Sequence, residues 1–250
     1  MIKIIFISVI LAITFIFLAL RLWRACARAN RADWGSPWLN RLDGLNRILC
    51  HRIHGLKRTS IELPASGGIL VASNHVSGLD PLLLIASSPR PLRFLIAREQ
   101  YERWWLRWLF RAVGCIPVER QRNPRAALYA ARRALEQGEV VALFPHGRIH
   151  LDHHCPTPLK RGVVLLAQKT GAPIYPLRIE GVRGQGLTVI AVFIPSRVRV
   201  HGFAPLRCAD QSIDACLEKL ADLLAPPSQN ANPHRTAALL QPGKSLPKKT

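Results

Sequence analysis

Val71-Ala72-Ser73-Asn74-His75-Val76-Ser77-Gly78-Leu79-Asp80-Pro81 is the stretch on which both the fold and the chemistry of this chain turn. A buried, strand-like run ends at Ser73, and Asp80-Pro81 has the form of a helix N-cap and first turn. His75 therefore stands at the carboxyl end of a strand, where open α/β sheets bind their ligands. Five positions separate it from Asp80, and Gly78 permits a sharp turn between them. A loop of that length can fold back so that the carboxylate meets the imidazole. Such a pair fixes the tautomer and stabilises the imidazolium formed when the histidine takes a proton. A lone His and Asp at this spacing is more often a loop histidine beside a cap, so the weight of the reading comes from the rest of the chain.

Outward from this stretch, strand-like and helix-like runs alternate. The expected strands are 68–73, 92–97, 139–144, 173–179, 187–194 and 197–201, and the expected helices are 81–87, 98–113, 124–137, 160–170 and 212–225. Asn123-Pro124 reads as a cap with proline at the first helical position, and Gly138 and Gly171 sit where two helices should stop. Apolar strands alternating with helices imply an α/β fold, a largely parallel sheet flanked by helices. A second, amphipathic helix is expected over 37–54, with Leu39, Leu42, Leu45, Ile48 and Leu49 on one face.

The N-terminus adds a membrane element. From Ile4 to Leu20 no residue is charged; as a helix the run measures about 25 Å, slightly less than a hydrocarbon core. Arg21, Arg24, Arg28 and Arg31 follow, against Lys3 before it, a bias that keeps the C-terminal body cytoplasmic. Ala25-Cys26-Ala27 resembles a signal-peptide cleavage site, but arginines immediately after the apolar run oppose export. A hairpin entering one leaflet remains an alternative to a spanning helix. The expected organisation is an anchor over 1–31, an amphipathic segment over 32–60, a catalytic domain over 61–225 and a mobile basic tail over 226–250.

Composition narrows the partners. The 250 residues carry a net charge of +20 with 49% hydrophobic content, which excludes a disordered chain and implies an anionic partner. The basic residues are dispersed and follow no nucleic-acid-binding pattern, so a phospholipid surface is the expected partner and nucleic acid is not. Cys26, Cys50, Cys115, Cys155, Cys208 and Cys216 show neither CxxC pairs nor regular spacing, which suggests reduced thiols.

Four blocks together resemble the glycerolipid acyltransferases of the lysophosphatidic acid acyltransferase type. Asn74-His75-x4-Asp80 is similar to their first motif, and Gly114-Cys115-Ile116-Pro117-Val118-Glu119-Arg120 to their second, which ends in a phosphate-binding arginine. Phe144-Pro145-His146-Gly147 resembles the third motif and Pro173-Ile174-Tyr175-Pro176-Leu177 the fourth. The resemblance covers about residues 65–180 and implies the glycerol-3-phosphate acyltransferase-like fold. It also implies a mechanism: His75 as general base on an acceptor hydroxyl, Asp80 holding it, and direct attack on the thioester of acyl-CoA or acyl carrier protein. The acceptor would be 1-acyl-glycerol-3-phosphate, the product phosphatidic acid, and no cofactor would be permanently bound. No nucleophile-elbow serine occurs, in keeping with direct transfer.

The third block departs from the family pattern. Where relatives carry Phe-Pro-Glu-Gly-Thr-Arg-Ser, this chain has Phe144-Pro145-His146-Gly147-Arg148-Ile149-His150. Arg148 stands one residue before the usual arginine, and with Arg120 it could form a two-armed phosphate clamp. The expected substrate-binding set is Asn74, Gly114, Arg120, His146, Gly147, Arg148 and Lys160, with Lys160 equally readable as a solvated helix start. A different lysolipid or an amino-acid-linked lipid is the alternative acceptor, and a non-catalytic lipid-surface binder the alternative class. His146, His150, His153, His154 and Cys155 offer zinc donors, but they match no ligand pattern and basic neighbours would repel a cation, so no metal is expected. Over 98–113, Arg103, Arg107 and Arg111 line one face beside Trp104, Trp105, Trp108 and Leu109, a pattern that suits either a membrane-interface helix or tryptophans packed on the sheet.

Overall fold

The computed structural model describes residues 2–57, 61–119, 124–151 and 157–226. Six strands in these residues form one sheet: β1 (Ile69–Ser73), β2 (Leu92–Ala97), β3 (Ile116–Val118), β4 (Val140–Leu143), β5 (Ile174–Glu180) and β6 (Arg199–Gly202), in the order β3-β2-β4-β1-β5-β6. All neighbouring pairs are parallel except β5 with β6. Side chains alternate across the central strand β1. Ile69 and Val71 enter one core; Leu70 and Ala72 enter the other.

Helices cover both faces. On the Val71 side lies α3 (Asp80–Ser87), backed by α2 (Pro37–Arg52); on the other lie α6 (Pro124–Glu136), α7 (Gly162–Thr170) and α8 (Ile213–Leu224). The largely parallel, helix-flanked sheet expected from the sequence is therefore present. After β1 the chain runs to β2, on one side; after β4 it crosses β1 to reach β5, on the other. The connections thus diverge between β1 and β4, and the carboxyl ends of these two strands border the crevice where such sheets bind ligands.

Helix α1 (Ile2–Ala29) precedes this body, and its Lys3–Ala29 portion is the one helix in the described residues long and apolar enough to cross a membrane. Its last turn is not free. Cys26 is buried, and a Cβ on Gly44 of α2 would lie 1.8 Å from the Cys26 carbonyl oxygen, so only glycine fits that crossing. Ala32 is buried too, and the Arg31 N–H donates to the Asp43 carboxylate at 3.3 Å. A domain boundary at 31/32 would pass through packed structure.

Several expectations are corrected. Helix α2 buries Leu39, Asp43, Gly44, Arg47 and Cys50; of the expected apolar stripe only Leu39 is buried, Leu42, Ile48 and Leu49 are half-buried and Leu45 is exposed. The reason is a buried ion pair. Arg47 donates to Asp43 at 2.6 Å, and its remaining N–H groups bind the carbonyls of Ile85, Ala86 and Ser88, closing the end of α3. The single helix expected over 98–113 is broken into α4 (Arg98–Tyr101) and α5 (Arg107–Ala112). Tyr101 and Phe110 both pack against the core and stack on each other. Nine residues of continuous helix would rotate them by about 900°, onto opposite faces, and the break lets both turn inward. Trp104 and Trp108 are left exposed rather than packed on the sheet, with Trp108 against Trp38 of α2.

The run 187–194 is not a strand. It holds a 3-10 turn, Val189–Phe193, because β6 already occupies the edge of β5 and Ala191 packs closely on Gly184. Cys208 and Cys216 are joined as a disulfide with 6.0 Å between Cα atoms, where thiols were expected: α8, capped by Ser212, folds back towards the loop that precedes it. Cys26, Cys50 and Cys115 are free and buried. Positions 58–60, Asn123 and the tail from 227 onward lie outside the described residues.

Candidate active site

The loop after β1 folds so that the Asp80 carboxylate points back along the chain. Its Oδ2 accepts from the Val76 N–H at 2.6 Å, the Ser77 N–H at 2.8 Å and His75 Nδ1 at 2.8 Å, while Oδ1 accepts from the Ser77 hydroxyl at 2.8 Å. Asp80 opens α3 rather than capping it; Leu79 is the flanking residue and no side-chain cap is made. The sharp turn at Gly78 has a steric basis, since a Cβ there would lie 2.4 Å from the Thr188 carbonyl oxygen. The bland reading of Asp80 as a simple cap thus fails on geometry.

This arrangement determines the histidine's tautomer. A carboxylate that takes two backbone N–H groups and a hydroxyl is acting as an acceptor, so Nδ1 carries the donated proton and, in the neutral ring, Nε2 the lone pair. Asp80 is fully buried, whereas the His75 side chain retains 18% exposure. One face of the imidazole stacks on Phe144, with ring centroids 4.0 Å apart and planes 14° from parallel. With Nδ1 bonded and one face covered, the Nε2 edge is the part of the ring left for a ligand.

The loop after β4 meets this corner. The His150 N–H donates to the His75 carbonyl at 2.7 Å, which ties the third sequence block to the first. Gly147, at φ +72°, closes a turn through its N–H to the Phe144 carbonyl. Lys160 crosses over that turn, its N–H bonded to the Pro145 carbonyl and its side chain so close that a Cβ on Gly147 would meet Cε at 2.7 Å. His146 is half-buried and stacks on His150 at 4.6 Å, and Arg148 and Lys160 are exposed. His75, Asp80, His146, Gly147, Arg148 and Lys160 thus gather at the carboxyl ends of β1 and β4.

Two expected site residues stand elsewhere. Asn74 is buried and commits both ends of its amide to the Ile179 backbone, at 2.9 and 2.8 Å, bracing β1 against β5 beneath the site. Gly114 precedes β3, at the amino end of the sheet, opposite His75; at φ +70° it serves the turn from α5 and lies against Arg93. Arg120, His153, His154 and Cys155 lie outside the described residues. Among the described residues no group of three or more His, Cys, Asp or Glu is placed to hold a metal.

Three contributors had no role assigned from sequence: Ser77, Phe144 and the His150 N–H. Ser77 was legible in principle, as a hydroxyl three residues before the carboxylate; the other two depend on β1 and β4 being neighbours. Thiol chemistry finds no support in the buried cysteines, because burial pushes Cys50 and Cys115 up to about 12.

The chain is similar to a 1-acyl-sn-glycerol-3-phosphate acyltransferase of Bacillus subtilis, 28% identical over 48% of this chain and 59% of that protein. It is similar also to a probable 1-acyl-sn-glycerol-3-phosphate acyltransferase of Mycoplasma pneumoniae, 32% identical over 46% of each. The chain thus spans about half the length of these relatives. A solved 1-acyl-sn-glycerophosphate acyltransferase from Thermotoga maritima shares the fold, with a TM-score of 0.62 at 18% identity, over 80% of this chain and 83% of that one. The family model described as Acyltransferase matches residues 52–180, more than half of the chain and both strand-end loops of the site, and the chain belongs to that family.

Proposed function

We propose that this protein transfers a fatty acyl group from a thioester, acyl-CoA or acyl carrier protein, to the free hydroxyl of 1-acyl-glycerol-3-phosphate, giving phosphatidic acid. The observation that carries this reading is the His75–Asp80 pair, with Nδ1 bonded and Nε2 left as the base. Nε2 takes the proton of the acceptor hydroxyl as its oxygen attacks the thioester carbonyl carbon. The C–O bond forms, the C–S bond breaks, and the departing sulfur recovers the proton from Nε2. Asp80 stays a carboxylate throughout and stabilises the transient imidazolium. A base so positioned contributes about 10²–10⁴-fold, and orientation of both substrates supplies much of the rest.

Arg148 and Lys160, with Arg120, are the cations proposed to receive the acceptor phosphate. The relatives' names and the order of the four blocks support that acceptor. A second reading keeps the reaction and changes the acceptor to another lysolipid, favoured by one observation: Ile149 stands where the family pattern has arginine. The body is proposed to sit on the cytoplasmic side, held by α1, since four arginines follow the apolar run. Thiol release from acyl-CoA and from acyl carrier protein, measured with a panel of lysolipids, tests the reading. Release that depends on lysophosphatidate supports it; release with other lysolipids alone would transfer the lead to the second reading.

A further inference from the structure

The segment between β5 and β6 is an exposed apolar feature that the proposed chemistry leaves unused. Leu187, Val189, Ile190 and Phe193 are exposed, Ile190 by 63% and Phe193 by 76%, while only Ala191 of the 3-10 turn is buried. Arg183, Arg197 and Arg199 flank them, all exposed, and no acidic residue occurs from 181 through 209. Glu180, across the ladder from Arg199, is already paired with Arg178 and His201. Apolar tips flanked by arginines match a bilayer with anionic headgroups: the rings and branched chains enter the acyl boundary and the guanidiniums meet phosphates.

The segment is also tied to the site. The Gly186 N–H donates to the Val76 carbonyl and the Gly78 N–H to the Leu187 carbonyl, both at 2.8 Å, so the loop holding His75 and the apolar tip are stitched together. On its other side the segment hangs from the end of α2. The buried His54 ring bonds the Val192 carbonyl at 3.1 Å, and the Val198 N–H bonds the His54 carbonyl. Through α2 and its packing on Cys26, the tip is continuous with the helix long enough to cross a membrane.

We propose that Leu187–Phe193 is a second membrane contact, a tip that dips into an anionic bilayer and brings the His75 loop to acceptor lipid lying there. Docking stands on the segment itself; its consequence for turnover rests on the acyl transfer proposed above.

The test uses the full chain reconstituted into vesicles of phosphatidylcholine and phosphatidylglycerol, with brominated acyl chains in one set. A fluorophore on Ile190→Cys should be quenched by the brominated lipid. The same fluorophore on Tyr129→Cys, exposed on α6 across the sheet, should not be, and labelling of the unaltered chain gives the background. Equal, weak quenching at both positions would overturn the proposal. So would an Ile190→Cys signal that grows with protein concentration in lipid-free detergent, which would mean that a second copy covers the patch. A double variant, Ile190→Glu with Phe193→Glu, should lower turnover of a bilayer-embedded acceptor by about tenfold or more, yet spare a short-chain, water-soluble acceptor. Equal loss on both acceptors would make the segment mere support for His75. If the unaltered chain acylates no acceptor, the functional reading fails while the quenching result still decides docking.

Discussion

The two strand-end loops of the site are built on opposite plans. After β1, every polar group around Asp80 is paired within a few residues: two N–H groups, a hydroxyl and a ring nitrogen converge on one buried carboxylate. After β4, the backbone is fixed by its turn, but the cations it carries, Arg148 and with it Lys160, reach into solvent. The difference follows from what each loop is proposed to do. A base must hold one tautomer and one orientation before substrate arrives, whereas cations that await a phosphate are satisfied only by the ligand.

Breaking the closed loop should cost most. His75→Ala is expected to lower acyl transfer by about 10²–10⁴-fold in a thiol-release assay while the protein stays folded and membrane-bound. Asp80→Asn should be nearly as severe, because an amide cannot accept all four bonds unchanged. Near-normal turnover by His75→Ala would remove the basis for the contrast. The open loop should respond differently. Arg148→Ala or Lys160→Ala is expected to raise KM for a phosphate-bearing acceptor by about 10- to 150-fold, as loss of a charge-assisted hydrogen bond of ~1.5–3 kcal/mol implies, with KM for the acyl donor unchanged. Arg120→Ala should behave alike, and Lys should rescue it only in part. An effect confined to kcat would place these cations with the chemistry and erase the distinction.

Ser77→Ala sharpens the comparison from within. One bond to Asp80 Oδ1 is lost while the bonds to Oδ2 remain, so a fall in kcat of about 2- to 12-fold is expected, from ~0.5–1.5 kcal/mol. The smallest effect concerns pH. Burial holds His54 below its ordinary value of 6.5. The folded state therefore favours the neutral ring, and this contribution to stability is complete above pH 6.5 and lost as pH falls through the depressed value. Melting curves from pH 7.5 to 5 should show a decline that His54→Gln reduces.

Legibility in the sequence followed range. His75 and Asp80 could be paired from sequence because five residues and a glycine turn connect them; the strand before and the helix after placed them at the right end of the sheet. Phe144 on His75 could not, since it depends on β4 lying beside β1, a neighbour relation set by the whole topology. Gly114 was misplaced for a related reason. Its block runs along β3, so the glycine stands before the strand at the amino end of the sheet, while His75 follows β1 at the carboxyl end. The face of α2 was misread because a stripe of leucines was weighed above Asp43 and Arg47, whose burial is intelligible only once the open carbonyls at the end of α3 are seen. The apolar run 187–194 has a strand's composition, but the edge of β5 that precedes it is taken by β6.

The contact between Gly44 and the Cys26 carbonyl bears on how the protein can be made soluble. Trimming the chain at Arg31, the last arginine after the apolar run, would strip α2 of its backing and expose the surface that Cys26 now covers. A cut eleven residues earlier, just after Leu20, would discard the exposed apolar stretch and leave the crossing intact. The seam between the apolar helix and the α/β body thus lies inside a single continuous helix, and any shedding or engineering of the body must begin there.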